Sequence, residues 1–287
     1  MSMHGLGRCE MPNSPRGAEI TTVPSSRRPV GRALRPRLKV VIITEDDPLY
    51  VIRFFDVLFA EYPRNEIDLC GITVDRAFHE PLVRTLKRLS GCYGFWGVGR
   101  LGLRYLGAKA RGRSIEMQAA RFGVPVIATR SVNDPEYIER LRALAPDVIV
   151  SVAAPEVFQP TLLSLPRLGC VNIHSGRLPA YRGMMPTFWQ MRNGEPEATI
   201  TVHRMGPRLD AGDILATRTF PIRERDKLDR VIKGTKASGA RLVIDVLRAL
   251  GAGEARARPP EQHGAAYYSF PRRADVRAFH KCGHKLL

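Results

Sequence analysis

The sequence predicts an α/β fold: a Rossmann-like open, mostly parallel sheet with a short helical extension at its C-terminal end. Three observations point there. Short apolar runs of strand length alternate with segments whose apolar residues recur at helical spacing. Several of the runs stay apolar until their last position, as strands covered on both faces do. No apolar run reaches the roughly 18 residues expected of a membrane-spanning helix.

The elements follow in order. RLKVVIIT, Arg37 to Thr44, reads as a buried parallel strand. Tyr50 to Pro63 spaces Ile52, Phe55, Leu58 and Phe59 as one helix face. IDLCGITV, Ile67 to Val74, is the second strand. Residues 76–113 form an insertion that is basic, glycine-rich and aromatic, without the Lys-Ser/Thr ending of a phosphate loop. It reads as an irregular helical excursion packed on the core, with a lid or a membrane-facing helix as alternatives. A helix is expected over Ser114 to Phe122 and a third strand over VPVIAT, Val124 to Thr129. Asn133-Asp134-Pro135 then opens a helix. DVIVSVAA, Asp147 to Ala154, and GCVNIH, Gly169 to His174, are the fourth and fifth strands. Right-handed crossovers would place all these strands in one sheet, with ligand-binding loops at their carboxyl ends. Beyond them come a helix at PTFWQMRNG, an alternating strand Ala198 to Met205, a loop and strand within Gly206 to Ile222, and a long helix Leu228 to Leu250.

Composition bounds the function. The chain has 287 residues, 44% hydrophobic, and a formal charge of +17. The first 39 residues hold eight Arg or Lys against two Glu. Residues 1–36, rich in Pro, Ser, Gly and Arg, read as a disordered basic arm. It lacks the apolar core of a secretory signal, and a transit-like segment or an over-long start both fit it. Residues 37–224 are expected to form the catalytic domain and 225–287 a helical extension and tail. The remaining basic excess suits anionic substrates, nucleic acid, a membrane surface, or simply a solvated face. Aromatics are not interleaved with Arg as in an RNA-binding motif. TEDDP in place of Gly-x-Gly-x-x-Gly after the first strand excludes a nicotinamide or flavin site there. The five cysteines are far apart and suggest neither a metal site nor a disulfide framework. Cys70 and Cys170 read as buried thiols, which fits a cytoplasmic protein.

One stretch carries chemistry. In VNIHSGRLPAYRG, Asn172 and His174 alternate with apolar residues and so share a strand face. A carboxamide and an imidazole, with Asp210 in a later loop, suit acyl transfer. The amide can donate to a developing oxyanion. The imidazole can move a proton, and the carboxylate can orient it. Ser175 adjoins His174 and should point away, and no nucleophile elbow is present, which argues against a Ser-His-Asp hydrolase. Asn is a poor metal ligand. From residue types alone, a satisfied buried His and a turn-forming Asp are the simpler explanation of the pattern.

NIHSGRLPAYRGMMPTFW, followed by LDAGDIL, resembles the folate-dependent formyltransferases, whose members formylate methionyl-tRNA, glycinamide ribonucleotide or nucleotide-linked amino sugars. Their signature runs Asn-x-His-x-Ser-Leu-Leu-Pro-x-x-Arg-Gly, then Leu/Ile/Ala-Asp-x-Gly. Asn172, His174, Leu178, Pro179, Arg182, Gly183, Asp210 and Gly212 match it. The resemblance covers about Arg37 to Ile222 and implies the formyltransferase fold and 10-formyltetrahydrofolate as donor. It implies that Asn172 and His174 stabilise the oxyanion while Asp210 positions His174 and assists proton removal. It further places the pterin near Val152, Ala153, Ala154, Pro155, Glu156 and Val157, and near Met205 and Leu209. Arg177, Tyr181 and Arg182 are expected on the acceptor side.

There are departures. Gly176 replaces the family's Ser and Arg177 its first Leu. SVAAPEVF stands where tyrosine and glycine are usual, so folate contacts should differ. VHRMGPRLDAGDILA is similar to the enzyme that formylates UDP-4-amino-arabinose. The short final segment lacks the β-barrel domain usual in methionyl-tRNA formyltransferases. The expected partner is therefore a small-molecule amine, a nucleotide sugar among the candidates, with tRNA less favoured and a homodimer left open. The alternatives are a methionyl-tRNA formyltransferase-like enzyme, a formyltetrahydrofolate hydrolase and a non-catalytic folate binder.

Overall fold

The computed structural model describes residues 36–75, 82–261 and 264–287. The basic arm, apart from Pro36, and the start of the insertion, 76–81, lie outside the described residues. A six-stranded sheet organises the rest, in the order β2-β1-β3-β4-β6-β7. Its strands are β1 (Leu38–Glu45), β2 (Ile67–Asp75), β3 (Val148–Val152), β4 (Cys170–His174), β6 (Glu197–Arg204) and β7 (Ile214–Pro221). β2, β1, β3 and β4 are parallel; β6 and β7 add antiparallel. The strand order reverses between β1 and β3, and open sheets of this kind bind ligands outside the carboxyl ends of the strands at such a reversal.

Two layers cover the sheet. On one face lie α1 (Val51–Glu61) and α7 (Leu228–Ala252), packed on Val40, Ile42, Val171 and Ile173. On the other, α4 (Pro135–Leu144) packs Tyr137 and Leu141 on Val41, Ile43 and Ile149. The helix starts follow local chemistry. The carboxylate of Asp47, in TEDDP, accepts the backbone N–H of Leu49 and Tyr50 ahead of α1. Asp134 caps α4 by accepting the N–H of Glu136, with Pro135 in the first turn.

Val124 to Thr129 does not become a third strand. A single parallel bridge, Ile72 to Val126, joins it to β2. Pro125 has no N–H to donate, so the segment offers half a ladder at the sheet edge. The insertion is helical. α2 (Leu82–Ala110) is broken at Gly94, which has φ 67°, and leads into α3 (Ile115–Arg121). After β4 come a two-residue strand β5 (Arg182–Gly183) and α6 (Pro186–Arg192). The chain's last residues fold back here: β8 (Tyr267–Tyr268) pairs with β5, and α8 (Arg273–Lys281) packs Phe279 on Phe188. A one-turn α5 (Pro160–Leu163) completes the elements.

Candidate active site

β4 ends at His174, beside the reversal point. Ile173 packs into the α1–α7 core, so Asn172 and His174 face the opposite side, as the alternation requires. The two residues meet different partners on β6. Asn172 stands opposite His203 and His174 opposite Thr201 in the antiparallel register. The Thr201 hydroxyl donates to the Gly176 carbonyl at 2.7 Å and holds the turn that follows β4.

The protonation of this cluster can be read from its partners. His203 Nδ1 is 2.8 Å from the Arg204 carbonyl oxygen, which can only accept, so Nδ1 carries the proton. Its Nε2 then accepts from the Asn172 amide at 3.1 Å. Burial, reinforced by neighbouring His174, lowers the His203 pKa against the pull of the Arg204 carbonyl and Asp210, so the ring is held neutral. One N–H of Asn172 is thereby committed and the other left for a ligand.

His174 is buried. Its Nε2 donates to the Tyr181 carbonyl at 2.6 Å, and its Nδ1 lies 3.5 Å from Asp210 Oδ1. Asp210 sits on the β6–β7 loop with φ 49°, in the left-handed region. Its other oxygen accepts the Gly183 N–H at 3.0 Å, and Oδ1 is also 3.8 Å from His203 Nε2. Gly212 lets the loop fold tightly onto β6, since a Cβ there would stand 1.9 Å from the Arg204 carbonyl oxygen. Gly176 explains the departure from Ser. A Cβ would meet Pro186 Cβ at 2.6 Å, the Tyr181 carbonyl at 2.8 Å and His174 Nε2 at 2.9 Å. Glycine here allows the Tyr181 carbonyl to approach the imidazole.

The structure therefore brings Asn172, His174 and Asp210 together and adds His203, the Tyr181 carbonyl and the Gly183 N–H. The other expected site residues divide. Met205 packs into the core and Leu209 is exposed beside Asp210. Val157 is exposed too, and Ala153 takes φ 54° just past β3. Val152 is fully buried, so its side chain cannot reach a pterin. Glu156 is turned toward Ser131 and Asn133, which donate to it at 2.6 and 3.3 Å. Ala154 leans on the core, and Pro155 is half-buried in the same loop. Arg177 is ion-paired with Glu195 and lies 5.7 Å from the Tyr181 ring centre, with about half of its side chain exposed. The Tyr181 hydroxyl donates to Glu195 at 2.7 Å, and it is the backbone oxygen that faces the site. Arg182 has a buried Nε with no hydrogen-bond partner among the described residues.

Comparison with known proteins now bears on this geometry. A family model, formyl transferase, matches residues 105–247. A methionyl-tRNA formyltransferase of Geobacillus thermodenitrificans is 32% identical over 163 residues, 57% of this chain and 51% of the relative. The chain thus spans about half the length of the curated relatives it matches. Glycinamide ribonucleotide transformylase 1 from Symbiobacterium toebii superposes with a TM-score of 0.55 at 18% identity, over 78% of this chain and 95% of that one. The N-formyltransferase from Helicobacter canadensis, solved with folinic acid and dTDP-3-aminofucose, gives 0.53 at 13% identity, over 86% and 80%. At these identities the two structures speak for the fold alone. Signature residues, sheet order and sequence likeness converge, and the chain belongs to the formyl transferase family.

Proposed function

We propose that this chain is an N-formyltransferase that moves a formyl group from 10-formyltetrahydrofolate to a primary amine. The observation that carries the reading is the convergence of Asn172, His174 and Asp210 at the carboxyl end of β4, with His174 3.5 Å from Asp210. Acyl transfer builds negative charge on the carbonyl oxygen, and a fixed N–H donor is what that oxygen needs. Asn172 supplies one, because neutral His203 holds its amide in place. His174 and Asp210 stand beside it, and the pair can take the proton the attacking amine must lose.

The residues present fit a folate donor in two respects. Val157 and Leu209 expose apolar side chains on the loops leaving β3 and β6, a surface for a flat ring. The orphaned Nε of Arg182 is a donor suited to a carboxylate or phosphate. When bound, the donor supplies the activated formyl carbon; this chain's residues orient it and handle charge and proton. Cys170 is buried as expected and Cys70 only half-buried, with Cys92 buried in addition; burial pushes these free thiols up to about 12, 11 and 12, which accords with a reducing cytoplasm.

For the acceptor we infer a small-molecule amine, a nucleotide-linked amino sugar first. The dTDP-3-aminofucose held by the Helicobacter canadensis protein supports this. Methionyl-tRNA is the second reading, favoured by the name of the 32% identical relative. The test follows tetrahydrofolate release and transfer of labelled formyl to nucleotide-amino sugars, glycinamide ribonucleotide, methionyl-tRNA and water. Amine-dependent release with label on one acceptor is expected. Release without any amine identifies a hydrolase, and no release with any acceptor overturns the reading.

A further inference from the structure

The insertion has a face that the core does not use. Beyond the break at Gly94, Arg104 and Lys109 tie α2 to the core. Arg104 pairs with Asp229 at 2.6 Å in the first turn of α7, and Lys109 pairs with Asp46 just past β1. Ala108 is buried on the Arg104 side. The opposite side repeats at helical spacing and is open to solvent: Phe95 is 83% exposed, Leu103 74% and Leu106 65%. Trp96, beside the break, is 94% exposed. Large apolar side chains in such a contiguous row mark an interaction surface.

The charge around them selects the partner. From Pro81 to Ile115 the sequence holds eight Arg or Lys and no Asp or Glu. Lys87 and Arg100 are exposed alongside the apolar row. Apposing two copies of this face would set like charge against like charge, which disfavours a symmetric dimer. Nucleic acid would use the cations but not Leu103 and Leu106. An anionic bilayer surface uses both: aromatic and leucine side chains enter the headgroup boundary and basic ones meet the phosphates. No helix among the described residues is long and apolar enough to cross a membrane. We propose that α2 is an interfacial element that docks the protein on anionic lipid surfaces through Phe95, Trp96, Leu103 and Leu106, with Lys87 and Arg100 as headgroup contacts. The proposal stands independently of the formyl-transfer reading. The Lys109 and Arg104 clamps hold α2 at the rim where β1 ends, the same rim on which His174 closes β4.

The chain carries its own reporter. Of its two tryptophans, Trp189 is buried and Trp96 exposed, so a lipid-induced change in emission reports α2. The full chain is mixed with vesicles of phosphatidylcholine and phosphatidylglycerol (7:3) or of phosphatidylcholine alone, then floated. Expected are co-flotation and a blue shift with the anionic vesicles, both weakened by salt. The double variant Phe95→Ser with Trp96→Ser should lose vesicle affinity by about tenfold or more. Lys87→Glu with Arg100→Glu should remove the preference for anionic lipid. Melting temperatures near wild type are expected for both, since all four side chains are exposed. The proposal is overturned if the wild-type chain neither floats nor shifts its emission at low salt. It is also overturned if the aromatic variant floats as well as wild type, whether or not it disrupts a dimer or weakens binding of total tRNA.

Discussion

Asp210 shows what a single residue contributes. Its backbone lies in the left-handed region, one carboxylate oxygen takes the Gly183 N–H, and the other faces His174. Asp210→Asn keeps the shape and removes the charge, so turnover should fall by about 10²–10³ with little change in melting temperature. Steady-state formyl transfer beside a thermal melt checks both; a near wild-type kcat removes Asp210 from the reaction. His203 acts one step back, as a positioning residue. His203→Leu frees the Asn172 amide, and kcat should drop about tenfold or more while acceptor KM stays close to wild type. His203→Gln, which can still accept through its side-chain oxygen, should restore part of it. Gly176→Ser would install the family's residue yet place Cβ under 3.0 Å from Pro186, the Tyr181 carbonyl and the His174 ring. It should cost about 1–3 kcal/mol in urea unfolding and slow turnover as the Tyr181 carbonyl moves off the imidazole. Asn172, His174 and Asp210 were legible because alternation and motif spacing are local properties. His203 was not, because its role arises from β4–β6 register, which pairs it with Asn172 across 31 residues of chain. The one available sign was a polar residue inside the apolar alternation of TVHRM. The ion pair of Arg177 with Glu195 was hidden for the same reason, since the two become neighbours only after folding.

At the scale of elements, apolar runs and helix caps were readable wherever one segment decides its own fate. β1 and β3 are buried along most of their length, β4 alternates apolar residues with Asn172 and His174, and α4 begins after the Asp134 cap that Asn133-Asp134-Pro135 announces. Val124 to Thr129 shows the limit: β propensity was present, but Pro125 removed a ladder donor and left one bridge. Where two elements meet, a titration results that neither predicts alone. The Glu45 carboxyl, at the end of β1, is pushed up to about 7 by burial and by Asp47, against the opposing Lys236 on α7. Its folded-state pKa exceeds the unfolded value of 4.5. Its contribution to stability is therefore complete below the unfolded value and is lost as pH rises through about 7. Glu45→Gln should match wild type near pH 4.5 and exceed it by about 1–3 kcal/mol at pH 8. Denaturant midpoints at the two pH values measure this, and equal differences at both would show that Glu45 titrates normally.

The whole molecule is tied together by its last residues, which return to the segment that shapes the site. Arg182 N–H donates to the Ala266 carbonyl at 3.0 Å and Met184 N–H to the Tyr268 carbonyl at 2.8 Å, flanking the Gly183 whose N–H holds Asp210. The Tyr268 ring stacks between Tyr181 and Trp189, with ring centres 5.5 and 4.7 Å away, and its hydroxyl accepts from Asn193 at 3.2 Å. Trp189 in turn donates its indole N–H to the Ser269 carbonyl at 3.1 Å. Sequence alone could not show this, because AAYYSF pairs with a two-residue strand more than eighty positions earlier. Tyr268 touches neither His174 nor Asp210 in any of these contacts, yet it supports the backbone that orders both. Each aromatic pair contributes about 0.5–1.5 kcal/mol beyond the area it buries. Tyr268→Ala should therefore destabilise the chain by about 2–4 kcal/mol and lower kcat more than it raises KM for the formyl donor. Tyr268→Phe keeps both stacks and loses only the hydroxyl, so it should recover most of the activity and nearly all the stability. If Tyr268→Ala melts at the wild-type temperature with unchanged kcat, the returning tail is an ornament on the β5 segment and Asp210 is held by its own loop.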